Sequence, residues 1–155
     1  MHYSWIEPQV LAAGATPLDA ADVRVLHADG IRAILTLTES PLFRFDDISS
    51  DLFNELDIQY FHIPFADQHP PTHSQADEII ALLAAMHVQQ RPLFVHCFGG
   101  SGRTGTVLHL HLLAQGFPWD AVRARIKATR WQCLRITDEQ RDFLQQRRQP
   151  RRRAW

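Results

Sequence analysis

The 155-residue sequence predicts an α/β layer fold, a mainly parallel sheet in a single domain. Three observations lead there. Short apolar, β-branched runs alternate with longer segments of helical character, the order that builds βαβ units rather than hairpins. The length suits one domain at roughly 100–200 residues each, and neither an internal repeat nor a linker divides it. Hydrophobic residues make up 45% and charged residues 21%, a balance that buries a core instead of leaving the chain disordered.

The elements follow in order along the chain. Trp5-Ile6 and Val10-Leu11-Ala12 read as short strands around the turn-prone Glu7-Pro8. Leu18–Asp29 is a helix with Thr16 as its cap and Pro17 as its first residue, and Gly30 ends it. Ile31–Leu37 is a buried strand, Pro41–Asp47 a loop, Ser49–Leu56 a short helix and Ile58–Ile63 another strand. Pro64–Thr72 holds three prolines, which supply no ladder donors, so it is a loop. Ser74 caps a helix running to about Gln90, with Ile79, Ile80, Leu82, Leu83 and Met86 as its apolar face. Pro92–His96 is a third buried strand, Cys97–Gly102 a loop, and a helix from Arg103 to Gln115 stops at Gly116. Pro118–Thr129 and Asp138–Gln149 are the last helices. The domain is therefore expected over residues 1–150, with 151–155 a basic, flexible tail.

Several classes are excluded by what the sequence lacks. No apolar run approaches the roughly 20 residues of a membrane span, and no basic segment followed by an apolar core marks a secretory signal. Two cysteines, Cys97 and Cys133, make no disulfide framework, so a reducing cytoplasmic setting is expected. The net charge of −1 hides an asymmetry: residues 1–120 hold 5 basic and 14 acidic residues, residues 121–155 hold 11 and 3. The basic region reads as solvated helix faces plus a tail; attraction of an anionic substrate is the alternative. Nothing points to nucleic acid or membrane as partner, and a monomer is expected.

One segment carries the chemistry: Val95-His96-Cys97-Phe98-Gly99-Gly100-Ser101-Gly102-Arg103-Thr104-Gly105. An apolar strand delivers a cysteine into a glycine-rich loop that runs straight into a helix. The glycines let successive N–H groups of Phe98, Gly99, Gly100, Ser101 and Gly102 turn inward, and the helix adds its own unpaired N–H groups and the positive end of its dipole. Together they form a cradle for a phosphate-sized anion. Cys97 sits at its lip, where both effects favour the nucleophilic thiolate. Arg103 can fold back and offer two parallel donors to phosphate oxygens. The Thr104 hydroxyl can donate to the departing sulfur, and the His96 ring can fix the loop and favour the thiolate.

The pattern His-Cys-x-x-Gly-x-x-Arg-Thr resembles the signature of the cysteine-dependent protein tyrosine phosphatase superfamily, and the chain is most similar to its small, atypical dual-specificity members. Ser4-Trp5-Ile6, Leu37-Thr38-Glu39, Ile63-Pro64 and the helix after Arg103 resemble their counterparts in order and spacing, over residues 3–149. No set of His, Cys and carboxylate residues shows zinc-site spacing, so no metal is implied. The resemblance implies a phosphatase-like fold and no cofactor. It also implies an aspartate on a loop some thirty residues before the cysteine, protonating the leaving oxygen. Asp67 stands thirty residues before Cys97, with His69 as rival donor. There is no Trp-Pro-Asp triplet of the larger phosphatases. Gln140 resembles a glutamine that orients the hydrolytic water in some members, although a helix start explains its surroundings equally well. Glu39 is a candidate brace for Arg103 or Asp67. His109 and His111, two apart on a helix, face different ways and read as packing or surface residues; Cys133 reads as a small buried hydrophobe, with a redox partner for Cys97 as the alternative.

The expected activity is hydrolysis of phosphotyrosine, and of phosphoserine and phosphothreonine, in proteins through a cysteinyl-phosphate. The alternatives are hydrolysis of a non-protein phosphate ester, a silent phosphate-binding module, and a sulfurtransferase or arsenate reductase. A nucleotide-binding P-loop is excluded, since no Gly-Lys-Ser/Thr follows the glycines. The loop interior has no lysine or arginine for further phosphates, which disfavours polyphosphorylated inositol lipids.

Overall fold

A computed structural model of the chain describes residues 1–148. The tail expected over 151–155 lies outside them, as does Gln149. Five strands, β1 (Tyr3–Glu7), β2 (Leu11–Gly14), β3 (Ala33–Thr36), β4 (Gln59–His62) and β5 (Leu93–His96), form one sheet in the order β1-β2-β5-β3-β4. All neighbours pair in parallel except β1 with β2, an antiparallel edge with a register shift between Trp5 and Glu7. The helices are α1 (Ala20–Ala28), α2 (Ser50–Glu55), α3 (His73–Val88), α4 (Gly102–Ala114), α5 (Trp119–Arg130) and α6 (Asp138–Arg148).

Alternation along the strands splits the core between two faces, as a sheet covered on both sides requires. Leu93 and Val95 of β5 and Ala33 and Leu35 of β3 face one cluster with Ile79, Leu83 and Met86 of α3, Leu108 of α4, Ile126 of α5 and Leu144 of α6. Phe94 and Ile34 face the other, with Val23 and Leu26 of α1 and Leu52 and Phe53 of α2. Full burial of side chains of this size stabilises the fold by about 1.5–3 kcal/mol each. The result is a three-layer α/β/α domain with β5 at its centre.

Two helix starts differ from the sequence expectation. Asp19, not Thr16, caps α1, accepting from the Asp22 amide at 2.9 Å. Thr16 is buried instead, and its hydroxyl donates to the Cys97 carbonyl at 2.6 Å. Thr72, not Ser74, caps α3, because Gln75 lies three residues on and closes a reciprocal capping box. The stop at Gly30 stands, its φ of +103° being open to glycine without strain. A 3-10 turn over Trp131–Leu134 lies between α5 and α6.

Candidate active site

Ligands of open parallel sheets gather beyond the carboxyl ends of the strands, and here β5, β3 and β4 all end beside one another. Their register sets His96 between Gly14 and Thr36. The chain leaves β5 at Cys97, turns through the glycine loop and enters α4. That helix is buried along almost its whole length, including Arg103, Thr104 and His109. Its position is therefore fixed by packing on several sides.

Within the loop, Cys97 is buried and its Sγ accepts from the Thr104 hydroxyl at 3.1 Å. Among the described residues, none accepts a hydrogen bond from the amides of Phe98, Gly99, Gly100, Ser101, Gly102 or Arg103. Such a run of unsatisfied donors at the start of a 13-residue helix favours an anion. The Phe98 side chain stands out into solvent, 67% exposed.

Arg103 is nearly covered, at 4% exposure. Its Nη1 donates to Glu39 and, at 3.2 Å, to the Phe65 carbonyl. Its Nε is buried without a hydrogen-bond partner, 3.7 Å from an Asp67 carboxylate oxygen. One edge of the guanidinium is thus held by protein while the other retains an unused donor. Glu39 is the brace the sequence offered for Arg103. Its own backbone amide, and then the Arg103 charge, hold its carboxyl below the usual range against a slight desolvation.

His96 ties the loop to the sheet. Its Nε2 meets the Thr36 hydroxyl at 2.7 Å and its Nδ1 the Cys97 carbonyl at 3.1 Å. Tyr60 donates to the same Thr36 oxygen and accepts from the Leu42 amide. With the Thr36 proton directed at Nε2, the ring proton is assigned to Nδ1 and directed at the carbonyl. Burial pushes His96 down to about 4, so the ring is neutral and brings no charge to Cys97. His109 is similar: it lies between the Gly105 carbonyl and Arg123, and burial pushes it down to about 4.

These two rings make stability fall in acid. Between the ordinary value near 6.5 and about 4, the unfolded chain binds protons that the folded chain refuses. Stability is therefore complete above that window and declines as pH falls through it, by on the order of 3 kcal/mol per ring. Urea unfolding at pH 7.5, 6 and 5 should show the decline. An unchanged unfolding free energy across the three would contradict neutral burial.

The loop of Asp67 is fastened from outside by the start of α6. Thr137 donates to the Gln68 carbonyl at 2.9 Å, Gln140 Nε2 to the His69 carbonyl at 3.2 Å, and the His69 ring meets Glu139 at 2.9 Å. Asp67 itself is 67% exposed on its side chain, facing the Arg103 Nε. The ring of His69, the rival donor, has Glu139 as its partner. Gln140 is buried, and it also forms a reciprocal cap with Thr137. Its amide lies close to Gly102 but is already engaged in holding helix and loop. His111 meets Glu7 at 3.2 Å, away from the loop residues described above. Cys133 is buried, its thiol pushed up to about 12 by desolvation.

One residue corrects the reading of the C-terminal basic region as solvated faces. Arg130 is 8% exposed, with its Nε on the Gly100 carbonyl at 2.9 Å and its Nη1 on Ser4 Oγ at 3.2 Å. An arginine in the last turn of a helix ordinarily reads as a surface charge at its C-terminus. The sequence offers no signal that this one turns inward.

Over residues 1–154 the chain matches a family described as a Swiss Army Knife protein, DSP-PTPase phosphatase domain. It is 37% identical over 62 residues to the phosphatidylinositol 3,4,5-trisphosphate 3-phosphatase cnrN of Dictyostelium discoideum. That match covers 39% of this chain and spans about a tenth of the relative, 10% of its length. The fold is similar to the crystal structure of PTPMT1, with a TM-score of 0.80 and 19% identity over 94% of this chain and 92% of that one. It is similar also to DUSP15, with a TM-score of 0.73 and 25% identity over 93% and 85% of the two chains.

Proposed function

The chain belongs to the Swiss Army Knife DSP-PTPase phosphatase domain family, and on that premise we propose that it hydrolyses phosphomonoesters in two covalent steps through Cys97. One observation carries the reading. At a single strand-to-helix turn, Cys97 Sγ accepts from Thr104 beside the unbonded loop amides, with the Arg103 Nε also free of any hydrogen bond.

In this reading the Cys97 thiolate attacks phosphorus in line, forming the S–P bond as the ester O–P bond breaks. The amides of residues 98–103 and Arg103 hold the non-bridging oxygens throughout, which supplies most of the catalysis in phosphoryl transfer. Asp67 gives its proton to the leaving oxygen. As a carboxylate it then takes a proton from the water that attacks the cysteinyl-phosphate, and phosphate departs while Thr104 donates to the returning thiolate. His96 acts through the Cys97 carbonyl.

The substrate class we favour is phosphotyrosine, with phosphoserine and phosphothreonine, in proteins. It is supported by a loop interior without a basic side chain for additional phosphates. A second reading, a phosphoinositide, is supported by the name of the Dictyostelium relative and by the structure of PTPMT1 in complex with PI(5)P. Assaying released phosphate from phosphopeptides, phosphoinositides and nucleotide monophosphates side by side separates the two. Turnover of none of them would sink the hydrolase reading.

The role of Asp67 has its own test. General acids contribute roughly 10²–10⁴-fold, and more where the leaving group most needs a proton. Tyrosine, with a pKa near 10, leaves poorly as a phenoxide; a strongly electron-poor aryl phosphate leaves unaided. Asp67→Asn should therefore slow a phosphotyrosine peptide far more than the activated ester, measured where cysteinyl-phosphate formation limits both. Equal slowing would move the acid to another residue, His69 first.

A further inference from the structure

Beneath the loop lies a buried cation that the proposed chemistry does not use. Arg130 Nε and the Cys133 thiol converge on the Gly100 carbonyl, at 2.9 and 3.3 Å. Gly100 has a φ of +72°, and a Cβ there would come within 2.6 Å of Arg130 Nη2 and 2.5 Å of the Gly14 carbonyl carbon. The glycine is therefore wedged between β2 and the guanidinium, in a backbone conformation that side chains rarely adopt. A trans peptide points its N–H opposite to its C=O. With the Gly100 carbonyl turned onto Arg130 and Cys133, the Ser101 N–H points away from them, and among the described residues nothing accepts it. Arg130 also forms no ion pair among the described residues, although it is 8% exposed. A buried cation without a countercharge is costly unless its site is completed by an anion.

We propose that Arg130 is a positioning residue of the anion loop: its guanidinium turns the Gly100–Ser101 peptide so that the Ser101 N–H faces the bound oxyanion, whose charge is the partner Arg130 lacks. The inference rests on the function proposed above. Arg130 is placed to touch neither the substrate nor the Cys97 sulfur; it acts through the Gly100 carbonyl, and Ser4 keeps its outer nitrogen in place. Lysine would keep the charge but could not reproduce a planar guanidinium lying against Gly100, bonded to its carbonyl on one side and to Ser4 on the other.

Equilibrium binding of orthovanadate tests this without turnover. Calorimetric Kd values would be measured for the wild type, Arg130→Gln, Arg130→Lys and Ser4→Ala, each with a thermal melt. Arg130→Gln should bind vanadate about ten- to a hundredfold more weakly, the range for a hydrogen bond to a charged group. Arg130→Lys should recover part of that loss, and Ser4→Ala, which removes one support of the guanidinium but leaves its bond to Gly100, should weaken binding by less than Arg130→Gln does. A lower melting temperature with an unchanged Kd in Arg130→Gln would reduce Arg130 to packing and overturn the proposal. Should Arg130→Gln fail to fold, Arg130→Lys decides by the same criterion, since an unaltered Kd there also overturns it. A wild type that binds no vanadate would instead overturn the function reading, and this inference with it.

Discussion

Cys97→Ser should lose turnover by on the order of 10⁴–10⁶-fold, the scale of removing a nucleophile that acts as a unit with its neighbours. A serine hydroxyl stays protonated where a thiol gives up its proton, and among the described residues no imidazole, lysine or carboxylate bonds the side chain at this position to take the proton from it. The contacts to residue 97 come instead from Thr104 on the sulfur and from Thr16 and His96 on the carbonyl. The two carbonyl contacts do not involve the side chain and survive the substitution. The loop should therefore keep its shape and continue to bind vanadate or phosphate at close to wild-type strength. Loss of turnover with binding retained is the expected pair of results, read from steady-state rates and calorimetry. Appreciable turnover in the serine variant would remove Cys97 from the chemistry altogether.

Arg103→Lys should be nearly as damaging as Arg103→Ala, each costing on the order of 10²–10³-fold or more, the scale of losing an oxyanion donor. The guanidinium serves two directions at once. Its Nη1 is occupied by Glu39 and the Phe65 carbonyl, leaving the Nε edge for an anion. An ammonium is a single point of charge and would be drawn to Glu39, leaving the anion's side unserved. A lysine variant with most of the wild-type rate would show that the two-edged geometry is not what matters at Arg103.

How much of this could be read from the sequence depends on the distance over which each feature is determined. The buried strand ending at His96 and the short helix near Ser49–Leu56 follow from neighbouring residues and appear as expected, with Ser49 accepting from the Leu52 amide at the helix start. The loop from Cys97 to Thr104 was legible because glycines, cysteine and arginine stand in a single run. The start of α1 was not, because Thr16 is drawn to a carbonyl 81 positions away, leaving Asp19 to cap. Nor was the inward turn of Arg130, which joins Gly100 across 30 residues and Ser4 across 126. Gln140 was noticed for its chemistry, but its contacts are those of a fastener. The turns of Thr16 and Arg130 depend on pairings that form only when the sheet has closed, and no local pattern announces them, whereas the cap Gln140 shares with Thr137 is local.

The fastening of Asp67 by α6 has a consequence for the order of synthesis. The three contacts from Thr137, Glu139 and Gln140 reach back across 69, 70 and 71 residues. Because a chain emerges from its N-terminus, the loop bearing Asp67 leaves the ribosome long before the groups that fasten it. By then the sheet strands and the Cys97 loop have also been made, since both precede residue 137. The loop bearing Asp67 therefore lacks these three contacts until residues 137–140 have been made. Helix α6, translated after the loop it holds, supplies the fastening.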